Sequence, residues 1–579
     1  MSFRMNWRRT LSGVLSLSLV LVSGTAFALD GVHKAGSATI PVQTSQRPGH
    51  AAIASANFLA TNAGFEVLAK GGNAFDAAVA IASTLSVVEP ESSGIGGGFM
   101  AVLHQAKNGR NVFIDARETA PAAVDSKDYV KPDGDPDRDT SLTGPFSAGI
   151  PGEPAGLVLI AKRYGKLSLK QSLAPAIRVA RDGFVPDPRL HGAIVAQQKH
   201  LERWPASAGI YLVNGKPPTQ GAIWRDPDQA HTLELIATHG DDDFYHGDTA
   251  RKLVDAVRTA GGNWTLADLA AYRAKERTPI SVNYRGYQII TAPPPSSGGV
   301  AIAEILNILS GFDLSKMDQA HRVHYMIEAM RRAFRDHNDY LGDPDFVKMP
   351  LDMLLSPYYA DGLRQGILPD RATPSSMLPR AEAGQPGMHT THFSIIDADG
   401  NMAAITLTVN TTLGSKFVAA GTGVLLNNEM DDFALVPNKP NAYGLLGSVA
   451  NAPKGGKRML SSMSPTIVIG ADRTAVIGSP GGSTIITQVL EGILHFIDGE
   501  SAEQIVGHKR FHHQYLPDTV MVEQGTFDQA TSDALTSMGY TLKPNDGWGF
   551  MNVVTWDHKT NRLDAASDPR HPSGLGKVQ

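Results

Sequence analysis

Residues 387–410, GMHTTHFSIIDADGNMAAITLTVN, constrain the fold more than any other stretch. Two runs rich in apolar and β-branched residues, THFSII and MAAITLTV, flank Asp397-Ala398-Asp399-Gly400. Asp-Gly between such runs is a strong hairpin signal, because these residues tolerate the positive φ that tight turns need. A turn on Asp399-Gly400 pairs Thr390 with Val409 and Thr391 with Thr408. A register shifted by one sets Thr390 opposite Thr408 instead. In either register Thr408 lies within one pairing step of Thr390. Threonine is an ordinary strand residue, so a plain hairpin edge is one reading. The chemical reading is a chain cut before a threonine, which frees an α-amino group beside that residue's own hydroxyl. A threonine hydroxyl is a poor nucleophile until a base activates it. An α-amine with a pKa of roughly 7.7–8.0, against about 10.4 for lysine, is partly neutral near physiological pH and suits that task.

Around the hairpin, helical and strand signals are mixed. GNAFDAAVAIASTLSVVEP (72–90) carries Ala, Leu and Val at helical spacing after an asparagine and ends before Pro90, which predicts a buried helix. SSGIGGGFMAVLH (92–104) passes through a glycine turn into a strand. Helical patterns over 302–312 and 320–341 follow the proline-rich TAPPPSSGG (291–299), and from 390 onward strands dominate, with helices near 484–498 and 526–538. The pattern is that of an α/β or α+β chain whose strands cluster late.

Met1–Ala28 reads as a secretory signal: arginines at 4, 8 and 9, the apolar run LSGVLSLSLVLV (11–22) and a small-residue exit, Ala26-Phe27-Ala28. The Arg8-Arg9 pair serves as a basic start, since its surroundings do not fit a twin-arginine signal. No other apolar stretch reaches about 18 residues, so the expectation is a periplasmic or secreted protein with no membrane anchor after signal removal. The chain has no cysteine, so in an oxidising compartment its hydrophobic core must supply the stability. A formal charge of −5 over 579 residues, without a basic stripe, excludes a case for nucleic acid.

Several motifs fail on their chemistry. Gly94-Ile95-Gly96-Gly97-Gly98-Phe99 resembles a dinucleotide loop, but Phe99 replaces the third glycine and a strand follows. PKGGKRM (453–459) lacks the spacing of a phosphate loop, and no G-x-S-x-G elbow occurs. His321 with His324, and His512 with His513, lack the companion carboxylate or spacing of a zinc site and read as structural or surface histidines.

In order and spacing, HTTHFSIIDADGNMAAITLTVNTTLGS, GVLLNNEMDDF, RMLSSMSPT and GSPGGS resemble the γ-glutamyltransferase (γ-glutamyl transpeptidase) family. KGGNAFDAAVA, VVEPESSGIGGGF, IDARETAPAA and PPPSSGGV are similar to that family's large subunit, and FHHQYLPD and ASDPR to its C-terminal end. The resemblance spans essentially the whole mature chain. It implies the α+β fold of N-terminal-nucleophile hydrolases, a four-layer αββα sandwich formed jointly by two subunits of a self-cutting precursor. The cut falls between His389 and Thr390, giving a signal peptide (1–28), a large subunit (29–389) and a small one (390–579) that associate as a heterodimer.

The same resemblance assigns roles. Thr390 is the nucleophile, hydrogen-bonded by Thr408, and the backbone N–H groups of Gly481 and Gly482 form the oxyanion hole. Arg117, Ser461 and Ser462 take the substrate's α-carboxylate; Asn410, Glu429 and Asp432 take its α-ammonium. Glu429 stands where some members carry glutamine. Tyr443, in the lid-like 436–452, covers the bound glutamyl group. Singly, each has a bland reading: Arg117 pairing with Glu118 or Asp115 at the surface, NNEMDD as a solvated turn, SPGGS as a plain turn. Together they supply opposite charges for the two ends of an amino acid.

The implied substrates are glutathione and other γ-glutamyl compounds, with water, amino acids or dipeptides as acceptors and no metal or organic cofactor. Two alternatives stand beside this reading. One is a glutaryl-type cephalosporin acylase of the same fold, and the other a non-catalytic periplasmic protein that binds glutamyl peptides.

Overall fold

The computed structural model describes residues 46–378 and 390–579. The expected signal segment, 1–28, and His389 lie outside the described residues. Thr391–Ile396 and Met402–Thr408 form the hairpin, in the shifted register: Thr391 pairs with Leu407 and Ile396 with Met402. The pairing of Thr391 with Thr408 is therefore corrected, and Asp397 is the reason. Its carboxylate accepts hydrogen bonds from the backbone N–H groups of Asp399, Asn401 and Ala74 and from the Asn401 side chain. These bonds hold open a wider loop, Asp397–Asn401, in which Gly400 takes φ +89°.

The hairpin lies at the centre of a seven-stranded antiparallel sheet. The order across it is Leu575–Val578, Ala52–Ser55, Thr391–Ile396, Met402–Thr408, Gly98–Gln105, Arg110–Ala116 and Lys275–Arg277. A second antiparallel sheet runs Arg562–Ser567, Asn552–Asp557, Arg473–Gly478, Thr466–Ile469, Tyr287–Thr291 and Ile280–Tyr284. Each sheet takes strands from both sides of residue 390. The late clustering of strands is thus only half the picture, since early strands at 52–55, 98–105 and 110–116 complete the first sheet.

Side-chain alternation sets the layers. Ile53, Phe393, Ile395, Ile405 and Leu407 pack with the helices Ala74–Val88 and Glu153–Tyr164 on one side. Ala52, Ala54, Ile396, Met402 and Ala404 face the second sheet, whose Ile467, Val476 and Val554 share one core with the helices Gly298–Leu309, Gln319–Tyr340 and Ile485–Ile497. This is the expected four-layer arrangement. Ala74–Val88 is buried along its whole length and opens with a capping box between Asn73 and Asp76, a cap worth about 1 kcal/mol. The helix expected over 302–312 instead starts at Gly298. A Cβ at Gly298 would fall 2.0 Å from Ser464 Oγ, and one at Gly299 2.0 Å from the Ala292 carbonyl oxygen, so the two glycines let the helix begin tight against the sheet. Among the described residues no helix is long and apolar enough to cross a membrane.

Candidate active site

Thr390 stands just ahead of its strand and Thr408 ends the partner strand, so the hairpin register brings them together. Thr390 Oγ1 lies 3.3 Å from Thr408 Oγ1, and Thr408 Oγ1 in turn accepts the Asn410 N–H at 2.8 Å. Asn410 takes φ +78° and its side chain donates to the Asn428 carbonyl at 2.9 Å. By the pleat, His392 falls on the same face as Thr390, between the sheets, where it contacts Thr406 Oγ1 at 2.8 Å and Ser394 Oγ at 3.1 Å. Burial pushes its pKa down to about 3, so the ring is neutral. Gly478 makes room for it: a Cβ there would sit 2.1 Å from the ring.

Gly481 and Gly482 join the strand Arg473–Gly478 to the helix Ile485–Ile497 with φ of +140° and +57°. A Cβ on Gly481 would fall 2.4 Å from Gln488 Nε2. Gln488 holds the turn by donating to the Pro480 carbonyl and to Thr484 Oγ1. Among the described residues neither glycine N–H is bonded to an acceptor, which is the condition an oxyanion hole requires.

The charged end of the site is buried. Arg117, 1% exposed, sits with Nη1 2.6 Å from Glu429 Oε2 and Nη2 2.5 Å from Asp432 Oδ2, with Glu118 at 3.5 Å. The surface pairing of Arg117 is thereby excluded, and NNEMDD is no solvated turn: Asn427, Asn428, Glu429 and Asp431 are fully buried. Burial pushes Glu429 up to about 8 against the pull of Arg117, and Glu118 up to about 7. Burial, then the neighbouring Glu429, raises Asp432 well above the usual range. Burial opposes the charge on Arg117, but the Glu429, Glu118 and Asp432 carboxylates outweigh it and hold the guanidinium protonated. One cation thus faces three carboxyl groups. Glu429 Oε1 and Asp432 Oδ1 are buried without a hydrogen bond among the described residues, which leaves acceptors for a second cation.

Tyr443 lines the same cleft. Its hydroxyl donates to the Asn410 carbonyl at 2.8 Å and its backbone N–H to Asn441 Oδ1 at 2.9 Å. Ser461 is pinned by bonds to the Pro295 carbonyl and the Ser297 N–H. The cleft holds about 580 Å³ of non-atom space, open solvent at its mouth included, and Arg117, Thr390, Thr408, Asn410, Glu429, Asp432, Tyr443, Ser461, Ser462 and Gly482 all line it. Gly481 lies one residue back from the wall.

Sequence reasoning did not find His337, Phe433 or Asn451, which also line the cleft. His337 is neutral, its pKa pushed down to about 4 by burial, and its Nε2 makes no hydrogen bond among the described residues. On its helix it reads as one more core residue, so no sequence signal marks it. Asn451 fixes the end of the 436–452 segment by donating to the Asp432 carbonyl and accepting the Leu460 N–H. The histidines read as structural are satisfied: His324 by the Leu368 carbonyl and Tyr540, His512 by Thr487 and Gln514.

Two antiparallel sheets between helical layers, with a threonine opening a central strand in a lined cleft, define an N-terminal-nucleophile hydrolase fold. The chain belongs to the gamma-glutamyltranspeptidase family of enzymes, whose model matches residues 60–577. It is 40% identical over 570 residues to the glutathione hydrolase proenzyme of Pseudomonas sp. strain A14, covering 96% of this chain and 98% of the relative. It is likewise 40% identical over 566 residues to that of Escherichia coli K12, covering 96% and 97%. Among solved structures it is similar to a cephalosporin acylase from Bacillus halodurans, with TM-score 0.79 and 29% identity over 91% of this chain and 95% of that one.

Proposed function

We propose that this enzyme is an exported, self-processing γ-glutamyltransferase and glutathione hydrolase. In the precursor the Thr390 hydroxyl attacks the His389 carbonyl, the peptide bond shifts to an ester, and water opens that ester. A His389 carboxylate and a Thr390 α-amine result, dividing the chain after signal removal into 29–389 and 390–579. In turnover the neutral amine takes the Oγ1 proton as Oγ1 attacks the γ-glutamyl carbonyl. The N–H groups of Gly481 and Gly482 hold the oxyanion, which is worth roughly 10²–10³ in rate per donor. The leaving amine takes up the proton, and a γ-glutamyl ester of Thr390 remains. Water, or the amine of an amino acid or dipeptide, then attacks this ester and restores the hydroxyl.

One observation carries this reading: Thr390 with Thr408, and the buried Arg117–Glu429–Asp432 cluster, line a single cleft. In this structure those charges pair with one another. A substrate that brings its own carboxylate and ammonium exchanges partners with them, Arg117 turning to the carboxylate with Ser461 and Ser462, and Glu429, Asp432 and Asn410 to the ammonium. The surplus of acids over cations favours a substrate with an α-ammonium over a glutaryl amide without one, and so favours the transferase over the acylase. Comparing kcat/KM for a γ-glutamyl anilide with that for its glutaryl counterpart tests this. A large preference for the γ-glutamyl amide is expected, and equal rates would move the enzyme to the acylase reading.

A further inference from the structure

We propose that His495, Glu500 and His508, a cluster that takes no part in the chemistry above, form a divalent-metal site best suited to zinc. His495 lies in the last turn of Ile485–Ile497, Glu500 in the connection that follows, and His508 just after Ala502–Gly507. The two imidazoles stack with ring centroids 3.7 Å apart and planes 7° from parallel. Both point a nitrogen at one carboxylate, with His495 Nδ1 3.0 Å from Glu500 Oε1 and His508 Nε2 2.6 Å from Glu500 Oε2. One ligand atom from each residue lies within 4.8 Å of the others.

Two imidazoles and a carboxylate are a donor set that zinc accepts, with bonds near 2.0–2.2 Å. Tetrahedral bonds of that length place ligand atoms roughly 3.3 Å apart, and because an imidazole binds metal in its ring plane, the two stacked rings must also turn out of parallel to share one ion. Neighbouring cations do not compete for the carboxylate. Arg473 donates to the Glu500 and Phe496 carbonyls, Arg570 to the His508 carbonyl and Lys509 to the Gln524 carbonyl. The three side chains are not sealed off from solvent. They are about a quarter to two-fifths exposed, and a surface hollow lined by Gln504, Gly507 and Thr526 leaves room for a water ligand. The sequence hides this site because its ligands stand 5 and 8 residues apart across a turn and a short helix, which matches no zinc spacing.

The ion would staple the far end of the helix that starts beside Gly481 and Gly482, so its expected effect is on stability and not on chemistry. The test uses the full mature protein without a histidine tag, stripped by chelator and dialysed against micromolar Zn²⁺. The expected result is one zinc retained per chain, a higher Tm with zinc than without, and visible bands of a four-coordinate ion when Co²⁺ is substituted. His495→Gln and His508→Gln each lose the zinc and the Tm shift, and Glu500→Gln binds at least ~10-fold more weakly. His321→Gln, an exposed histidine beside Asp318, retains both. Unchanged γ-glutamyl turnover shows that the variants are folded, and a variant that fails this check is replaced by the other histidine's. Absence of retained zinc in the parent, or equal zinc in the parent and the double histidine variant, overturns the proposal.

Discussion

At the scale of single residues, recognition depends on a guanidinium between carboxyl groups that are not all ionised. Lysine cannot reproduce the two-pronged contact that Arg117 offers a carboxylate. Arg117→Lys is therefore expected to lower kcat/KM for γ-glutamyl substrates by roughly 10- to 150-fold, the range for charge-assisted hydrogen bonds, while the precursor is still cut. Asp432→Asn should do the same, and normal kinetics in either variant on a γ-glutamyl anilide would remove that residue from recognition. The pH dependence follows from Glu429, which burial holds near 8. Below that pH it is largely protonated in the free enzyme, and a bound ammonium favours its ionised form. Binding therefore releases a proton, and KM should fall as pH rises from about 6.5 to 8 and level off above. Glu429→Gln should flatten this slope. A parent KM that is constant or rises over the range would contradict the assignment.

At the scale of elements, the hairpin and the glycine turn decide the geometry. The hairpin was legible because its apolar runs and Asp-Gly turn are local signals, and so were the helices at Ala74–Val88, Gln319–Tyr340 and Ile485–Ile497. Its register was not fixed, because Asp397 bonds to Ala74 across 323 residues, and no local pattern encodes that bond. Most of the site could be named only through family resemblance. Arg117, Glu429 and Ser461 come from distant segments, and nothing in their own neighbourhoods marks them. His337 stayed hidden for the opposite reason, since its surroundings mark it as core. The two glycines of the turn should differ. At φ +140° and 2.4 Å from Gln488, a side chain on Gly481 is strained whatever moves, whereas φ +57° at Gly482 is a conformation other residues visit at a cost of roughly 1–2 kcal/mol. Gly481→Ala should lower kcat by roughly 10²–10³ with a smaller change in KM, and Gly482→Ala by less. Equal, mild effects at both positions would argue against an oxyanion role for the turn.

At the scale of the whole molecule, both sheets take strands from each side of residue 390, so the halves share their cores and should remain associated after cutting. The same core carries ionisable groups far from their usual pKa. Burial raises Glu91 and Glu153 from 4.5 to about 8. Such groups favour the folded state while protonated, an advantage complete below about 4.5 and lost as pH rises through 8. Buried His392 and His337, pushed down to about 3 and about 4, work the other way, but their contribution is complete above about 6.5. From pH 6.5 to 8.5 the carboxyl groups act without that opposition. Tm should fall over this window, and Glu153→Gln should reduce the slope; a Tm that rises across it would contradict the assignment of neutral buried acids.

The most direct test of the central claim, that Thr390 frees itself and then carries the reaction, is a denaturing gel of the purified protein with N-terminal sequencing of the smaller band. Two bands are expected in the parent, the smaller beginning Thr390-Thr391-His392, and one uncut, inactive band in Thr390→Ala, with Thr390→Ser retaining some of both activities. A small band that begins elsewhere, or a Thr390→Ala protein that still divides in two, would contradict it.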